Sequence, residues 1–170
     1  MLDKVHDFQD ELEFSVKASD EPFWDAIYRK AFPDMVSQTL CNGDTKSQRL
    51  GIDRVVVLAS GRILKIDEKK RRQEYNDILL EYISVSTTGA PGWIERDLAI
   101  DYLAYAFMQS RRVYLFDWCM LRRVWLAHKD DWLKRYKIPP AQNSGYQTLS
   151  VAVPTKHLLN LIKTASIIQL

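Results

Sequence analysis

The residues best equipped for chemistry sit at the two ends of one short stretch. From 51 to 72 the chain runs Gly-Ile-Asp53-Arg-Val-Val-Val-Leu-Ala-Ser-Gly-Arg-Ile-Leu-Lys-Ile-Asp67-Glu68-Lys69-Lys70-Arg71-Arg72. An acid opens the first apolar run, and an acid-acid-lysine cluster closes the second. Two carboxylates held side by side repel each other unless a cation lies between them. A hard divalent ion such as Mg²⁺, bound by one or two carboxylates with water and phosphate, is the natural occupant. A neighbouring lysine can orient a water and offset charge on a phosphoryl group. These are the parts of a metal-dependent phosphodiesterase. The plain alternative is a solvated, charged strand end, since acid-x-Lys triplets are common.

The elements must bring those two ends together. Ile52 to Leu58 is apolar and largely β-branched, Ala59-Ser-Gly61 is turn material, and Arg62 to Ile66 resumes alternation, which predicts a β-hairpin. Antiparallel pairing places opposed residues about 5 Å apart at Cα. A two-residue turn makes paired numbers sum to 121 and sets Asp53 against Glu68. A three-residue loop centred on Ser60 makes them sum to 120 and sets Asp53 against Asp67. Both registers put a lysine two residues after the paired acid, Lys69 or Lys70.

Along the rest of the chain, residues 1–38 read as helical and 41–48 as a polar loop. Ile78–Val85, Asp101–Phe107, Arg112–Phe116 and Thr148–Val153 read as strands, with helices over Trp118–Tyr136 and Lys156–Ile168. With 170 residues, 46% hydrophobic and 27% charged, and no repeat or linker, the expectation is one α/β or α+β domain over 1–170. No run approaches a membrane span, and the acidic start is unlike a signal peptide. Cys41 and Cys119 read as reduced thiols, so a cytoplasmic protein is expected. The three histidines offer no zinc pattern, and a net charge of +2 leaves nucleic-acid binding to charge distribution.

Asp, a hairpin turn and (Asp/Glu)-x-Lys form the core signature of the PD-(D/E)xK nuclease superfamily. Gly51-Ile-Asp53-Arg54, Ile66-Asp67-Glu68-Lys69, Ile78-Leu-Leu-Glu81-Tyr82, Pro91-Gly-Trp93, Asp101-Tyr-Leu-Ala-Tyr-Ala-Phe107 and Ser150-Val-Ala-Val-Pro154 occur in that order. The set resembles small nuclease-like proteins of phages and mobile elements, over roughly residues 47–160. The resemblance implies a restriction-endonuclease-like α/β core, a central mixed β-sheet flanked by helices, and an Mg²⁺- or Mn²⁺-dependent DNA endonuclease. It casts Asp53 as the first acidic ligand and Asp67 with Lys69 as the (D/E)xK pair. Glu68 with Lys70 stays as the alternate, and Glu81 stands as a third ligand or water-orienting group. Two departures stand out: Ile52 occupies the usual proline position, and the x position is a charged Glu68.

DNA is the expected partner, with a homodimer as a further option and no membrane association. Lys69, Lys70, Arg71 and Arg72 adjoin the carboxylates and are the candidate phosphate contacts. Glu81 falls inside an apolar strand-like run, where an unpaired charge is costly; a salt bridge to Arg71 or Arg72 is the competing explanation. Trp118, Trp125 and Trp132 recur every seven residues, which suits the core face of a helix better than base stacking. Two other readings compete with the nuclease: a non-catalytic DNA-binding or accessory protein that keeps the fold, and a protein-interaction domain using the aromatic helix.

Overall fold

The computed structural model describes residues 22–41, 47 and 49–170. Its elements, in chain order, are α1 (Pro22–Ala31), β1 (Met35–Leu40), β2 (Arg54–Leu58), β3 (Ile63–Arg71), β4 (Asp77–Val85), β5 (Ala90–Pro91), β6 (Tyr102–Phe107), β7 (Arg112–Asp117), α2 (Trp118–Arg135), β8 (Pro140–Asn143), β9 (Tyr146–Pro154), α3 (Thr155–Leu161) and β10 (Ser166–Gln169). The architecture is α/β, with a mixed sheet and three described helices. Six strands form one sheet in the order β1-β2-β3-β6-β7-β10, and four form a second in the order β5-β4-β9-β8. Only β3 and β6 pair in parallel in the larger sheet; its other neighbours are antiparallel.

Period-two alternation on the central strands feeds two cores. On one face, Val56 of β2, Leu64 and Ile66 of β3, and Ala104 and Ala106 of β6 meet Phe23, Trp24, Ile27 and Tyr28 of α1. On the other, Leu103, Tyr105 and Phe107 of β6 join Ile78 and Leu80 of β4, Val151 and Val153 of β9, and the buried faces of α2 and α3. Trp118, Trp125 and Trp132 belong to this second core, so their spacing marks the buried stripe of α2. That helix starts where Asp117 Oδ1 accepts the Met120 amide at 2.9 Å, an N-cap that satisfies one orphan donor.

The chain departs from the sequence expectation at both ends, and also between Tyr136 and Thr148, where no element is expected and strand β8 (Pro140–Asn143) forms. Residues 1–21 of the expected N-terminal helix lie outside the described residues, and the helix that is seen gives way to strand β1 at Met35, whose residues pair with β2 from Met35↔Leu58 to Leu40↔Arg54. Near the other end, the helix expected over Lys156–Ile168 stops at Leu161, and Ser166–Gln169 pairs with β7. In both segments, tertiary pairing with an open sheet edge overrides helical periodicity. Ile168 illustrates the gain, because pairing carries it into the core beneath α1.

Candidate functional site

The β2–β3 hairpin adopts the register that sums to 120: Val57↔Ile63, Val56↔Leu64, Val55↔Lys65 and Arg54↔Ile66. Its loop is Ala59-Ser60-Gly61, closed by the Leu58 amide on Arg62 O at 2.9 Å. Gly61 has φ +83°, the left-handed conformation a three-residue hairpin loop needs at its last position. The regular ladder ends at Arg54↔Ile66, one step before Asp53 and Asp67. There the Glu68 amide donates to Asp53 Oδ2 at 2.8 Å, joining the two strand ends through a side chain.

Alternation then sorts the acid-acid-Lys cluster onto two faces. Asp67 and Lys69 point away from α1, and Lys69 Nζ lies 2.7 Å from Asp67 Oδ1. Asp67 is 2% exposed, and its other oxygen, Oδ2, is buried without a hydrogen-bond partner. Burial pushes the Asp67 carboxyl up to about 7; Lys69 opposes that rise, and the neighbouring Asp53 adds to it. Burial also works against charge on Lys69, but Asp67, Asp53 and Glu81 outweigh it and hold the ammonium above its ordinary value. Lys69 therefore stands as a fixed cation, suited to orienting and neutralising an anion rather than to accepting a proton. Its Nζ lies 5.9 Å from the Trp93 ring centroid, which roofs this side.

Glu68 and Lys70 occupy the opposite face. Glu68 Oε1 accepts from Arg54 Nε at 2.6 Å and from the Tyr28 hydroxyl at 3.0 Å, while Lys70 Nζ lies 3.4 Å from Oε2. Lys70 also lies over the Trp24 ring, 5.7 Å from its centroid. The second (D/E)xK alignment is thus folded against α1, away from Asp67 and Lys69.

Glu81 reaches the site from β4 in the second sheet. Burial raises its carboxyl, and Lys69, Ser84, the Trp93 amide and Arg96 oppose that rise. Gly92 makes this approach feasible: a Cβ there would stand 2.2 Å from Glu81 O, so no side chain fits between β5 and β4. The Gly92 and Ile94 amides bond Tyr82 O and Glu81 O at 3.0 and 3.1 Å, fixing the Pro91-Gly92-Trp93 corner over the acid. Asp101 serves the backbone, its Oδ2 accepting the Lys65 amide at 2.8 Å.

The structure brings Asp53, Asp67 and Lys69 together, with Glu81 near enough to act on Lys69 by charge. Among the described residues, no group of three or more His, Cys, Asp or Glu side chains could by itself hold a metal ion. Asp53 and Asp67 supply two carboxylates, and the unpartnered buried Oδ2 of Asp67 suits a hard cation whose remaining ligands are water and phosphate. The four basic residues do not form one patch. Lys69 and Lys70 diverge as described, Arg71 Nη1 pairs with Asp77 Oδ1 at 2.7 Å and stacks over Tyr75, and Arg72 is exposed.

Sequence reasoning assigned no role to Arg54 or Tyr28, and read Pro91-Gly92-Trp93 as a turn with an anchoring indole. Arg54 had a legible signal, a cation inside a β-branched run that must find a buried partner. Tyr28 gave none, since it reads as one more apolar residue of an amphipathic helix. No disulfide joins Cys41 and Cys119, and no described helix is long and apolar enough to cross a membrane. No family model matches the chain, and no curated protein matches it.

Proposed function

We propose that the protein is a metal-dependent DNA hydrolase of the endonuclease type, with Asp53 and Asp67 as the seat for Mg²⁺ or Mn²⁺. The observation that carries this reading is the pair of acids brought together just past the end of the hairpin ladder, with a charged lysine 2.7 Å from one acid and a buried, unpartnered carboxylate oxygen on it. When bound, a divalent ion supplies an activated water and neutralises phosphate charge. Asp53 and Asp67 hold that ion. Lys69 orients a non-bridging phosphate oxygen and offsets the charge that builds on phosphorus. Glu81, whose carboxyl burial raises and Lys69 lowers, positions water on the side facing β4. The mixed sheet, with β3 and β6 parallel and helices on both faces, supports a restriction-endonuclease-like core.

A second reading is an accessory DNA-binding protein that keeps the fold without cleaving. A cleavage assay separates the two. Supercoiled plasmid, linear duplex and a branched junction are incubated with Mg²⁺ or Mn²⁺, using wild type, Asp53→Ala and Lys69→Ala. EDTA-sensitive cleavage abolished by both substitutions supports the hydrolase. Salt-sensitive DNA binding without cleavage of any substrate supports the accessory protein.

A further inference from the structure

The back of the hairpin carries a buried polar assembly that the proposed chemistry does not use. Arg54 follows Asp53 in the chain and Glu68 follows Asp67, so each member of the back pair is the immediate neighbour of a front carboxylate. Successive strand residues face opposite sides of a sheet, so a tie between Arg54 and Glu68 constrains Asp53 and Asp67 on the other side. That tie is short and dry: Arg54 Nε donates to Glu68 Oε1 at 2.6 Å, with the two side chains 6% and 0% exposed. Tyr28 donates to the same oxygen, and Arg54 Nη1 donates to Gln38 Oε1 at 3.0 Å. Gln38 Nε2 in turn donates to Asp25 Oδ1 at 3.0 Å. The assembly therefore runs from α1 through β1 and β2 to β3.

Its location matters because the ladder stops at Arg54↔Ile66. Past that point the ladder no longer holds the strand ends, where the Asp53 and Asp67 carboxyl groups come together. The Glu68 amide, donating to Asp53 Oδ2, pulls them together, and the Glu68 carboxylate fixes where that amide points. We infer that Arg54 and Glu68 are positioning residues, whose buried ion pair, braced by Tyr28, holds Asp53 against Asp67 as a single cation seat. This inference rests on the cation reading proposed above. Outer groups that orient ligands typically change metal affinity by 10–100-fold when removed.

The test compares Glu68→Gln with Val56→Ala, which removes buried volume on the same face without touching the ion pair. Mn²⁺ is titrated calorimetrically into each folded protein, and protection of the residue-68 amide is measured by hydrogen exchange. Glu68→Gln is expected to weaken Mn²⁺ at least tenfold and to lower residue-68 protection at least tenfold, while Val56→Ala stays within about twofold of wild type in both. Equal Mn²⁺ affinities for Glu68→Gln and wild type overturn the inference. If wild type takes up no Mn²⁺, the cation reading falls, and the exchange arm alone decides the positioning: unchanged protection in Glu68→Gln refutes it. Should Glu68→Gln fail to fold, Tyr28→Phe removes only the bracing hydroxyl and carries the same comparison with a smaller loss.

Discussion

Asp67→Asn should gain stability relative to the metal-free wild type as pH rises, while destroying the proposed function. Burial lifts the Asp67 carboxyl from 3.8 to about 7, so the folded chain keeps a proton that the unfolded chain gives up near pH 4. Stability from this group is complete below about pH 4, declines as pH rises, and is lost once pH passes about 7. The total is about 4 kcal/mol at 1.36 kcal/mol per pH unit, and close to 3 kcal/mol of it falls between pH 5 and pH 8. Asparagine has nothing to ionise and loses none of this. On a chain of this size each kcal/mol moves Tm by about 2–4 °C. The Tm of Asp67→Asn relative to wild type should therefore rise by roughly 5–10 °C between pH 5 and pH 8 in EDTA. Thermal unfolding followed by circular dichroism reads this directly, and the difference cancels groups that titrate alike in both proteins. A gap that stays constant, or narrows as pH rises, refutes the buried, proton-holding Asp67.

Three further outcomes follow from the packing. Trp125 is fully buried in the core beneath α2, so Trp125→Ala should cost about 3–5 kcal/mol in urea unfolding; an unchanged midpoint would return the tryptophans to a binding role. Gly92→Ala forces a Cβ to within 2.2 Å of Glu81 O and should cost about 1–3 kcal/mol, with the largest amide shifts at Glu81 and Trp93. A variant as stable as wild type would show that the corner does not press on Glu81. Lys69→Met removes the only hydrogen-bond donor to the Asp67 side chain among the described residues and should raise the Asp67 pKa further. Carboxyl carbon chemical shifts followed with pH check that direction, and a lower Asp67 pKa contradicts it.

Much of the site could be read from the chain because hairpins are local. The β-branched run, the Ala-Ser-Gly turn and the resumed alternation marked the strands, and both turn lengths placed Asp53 beside an acid. Turn length was the one undecided quantity, since Ser60-Gly61 and Ala59-Ser60-Gly61 are both good turn chemistry. The observed register puts Asp53 beside Asp67, with Gly61 in the left-handed position. Once that register is set, pleating alone sends Glu68 and Lys70 to the α1 face. What stayed hidden was non-local. Met35–Leu40 and Ser166–Gln169 become strands only because β2 and β7 offer open edges, and Trp93 reaches Lys69 only through the folding of β4 and β5. The basic run looked like one patch in sequence because alternation and ion pairing, which disperse it, appear only in three dimensions.

The claim at the centre of this account is that Asp53 and Asp67 share one divalent cation. Calorimetric titration of Mn²⁺ into the chelator-stripped protein at pH 8, beside Asp53→Ala, tests it most directly. The account predicts one Mn²⁺ per chain, displaced by excess Mg²⁺ and lost in Asp53→Ala. No saturable Mn²⁺ uptake by folded wild type, or uptake that survives in Asp53→Ala, would contradict it.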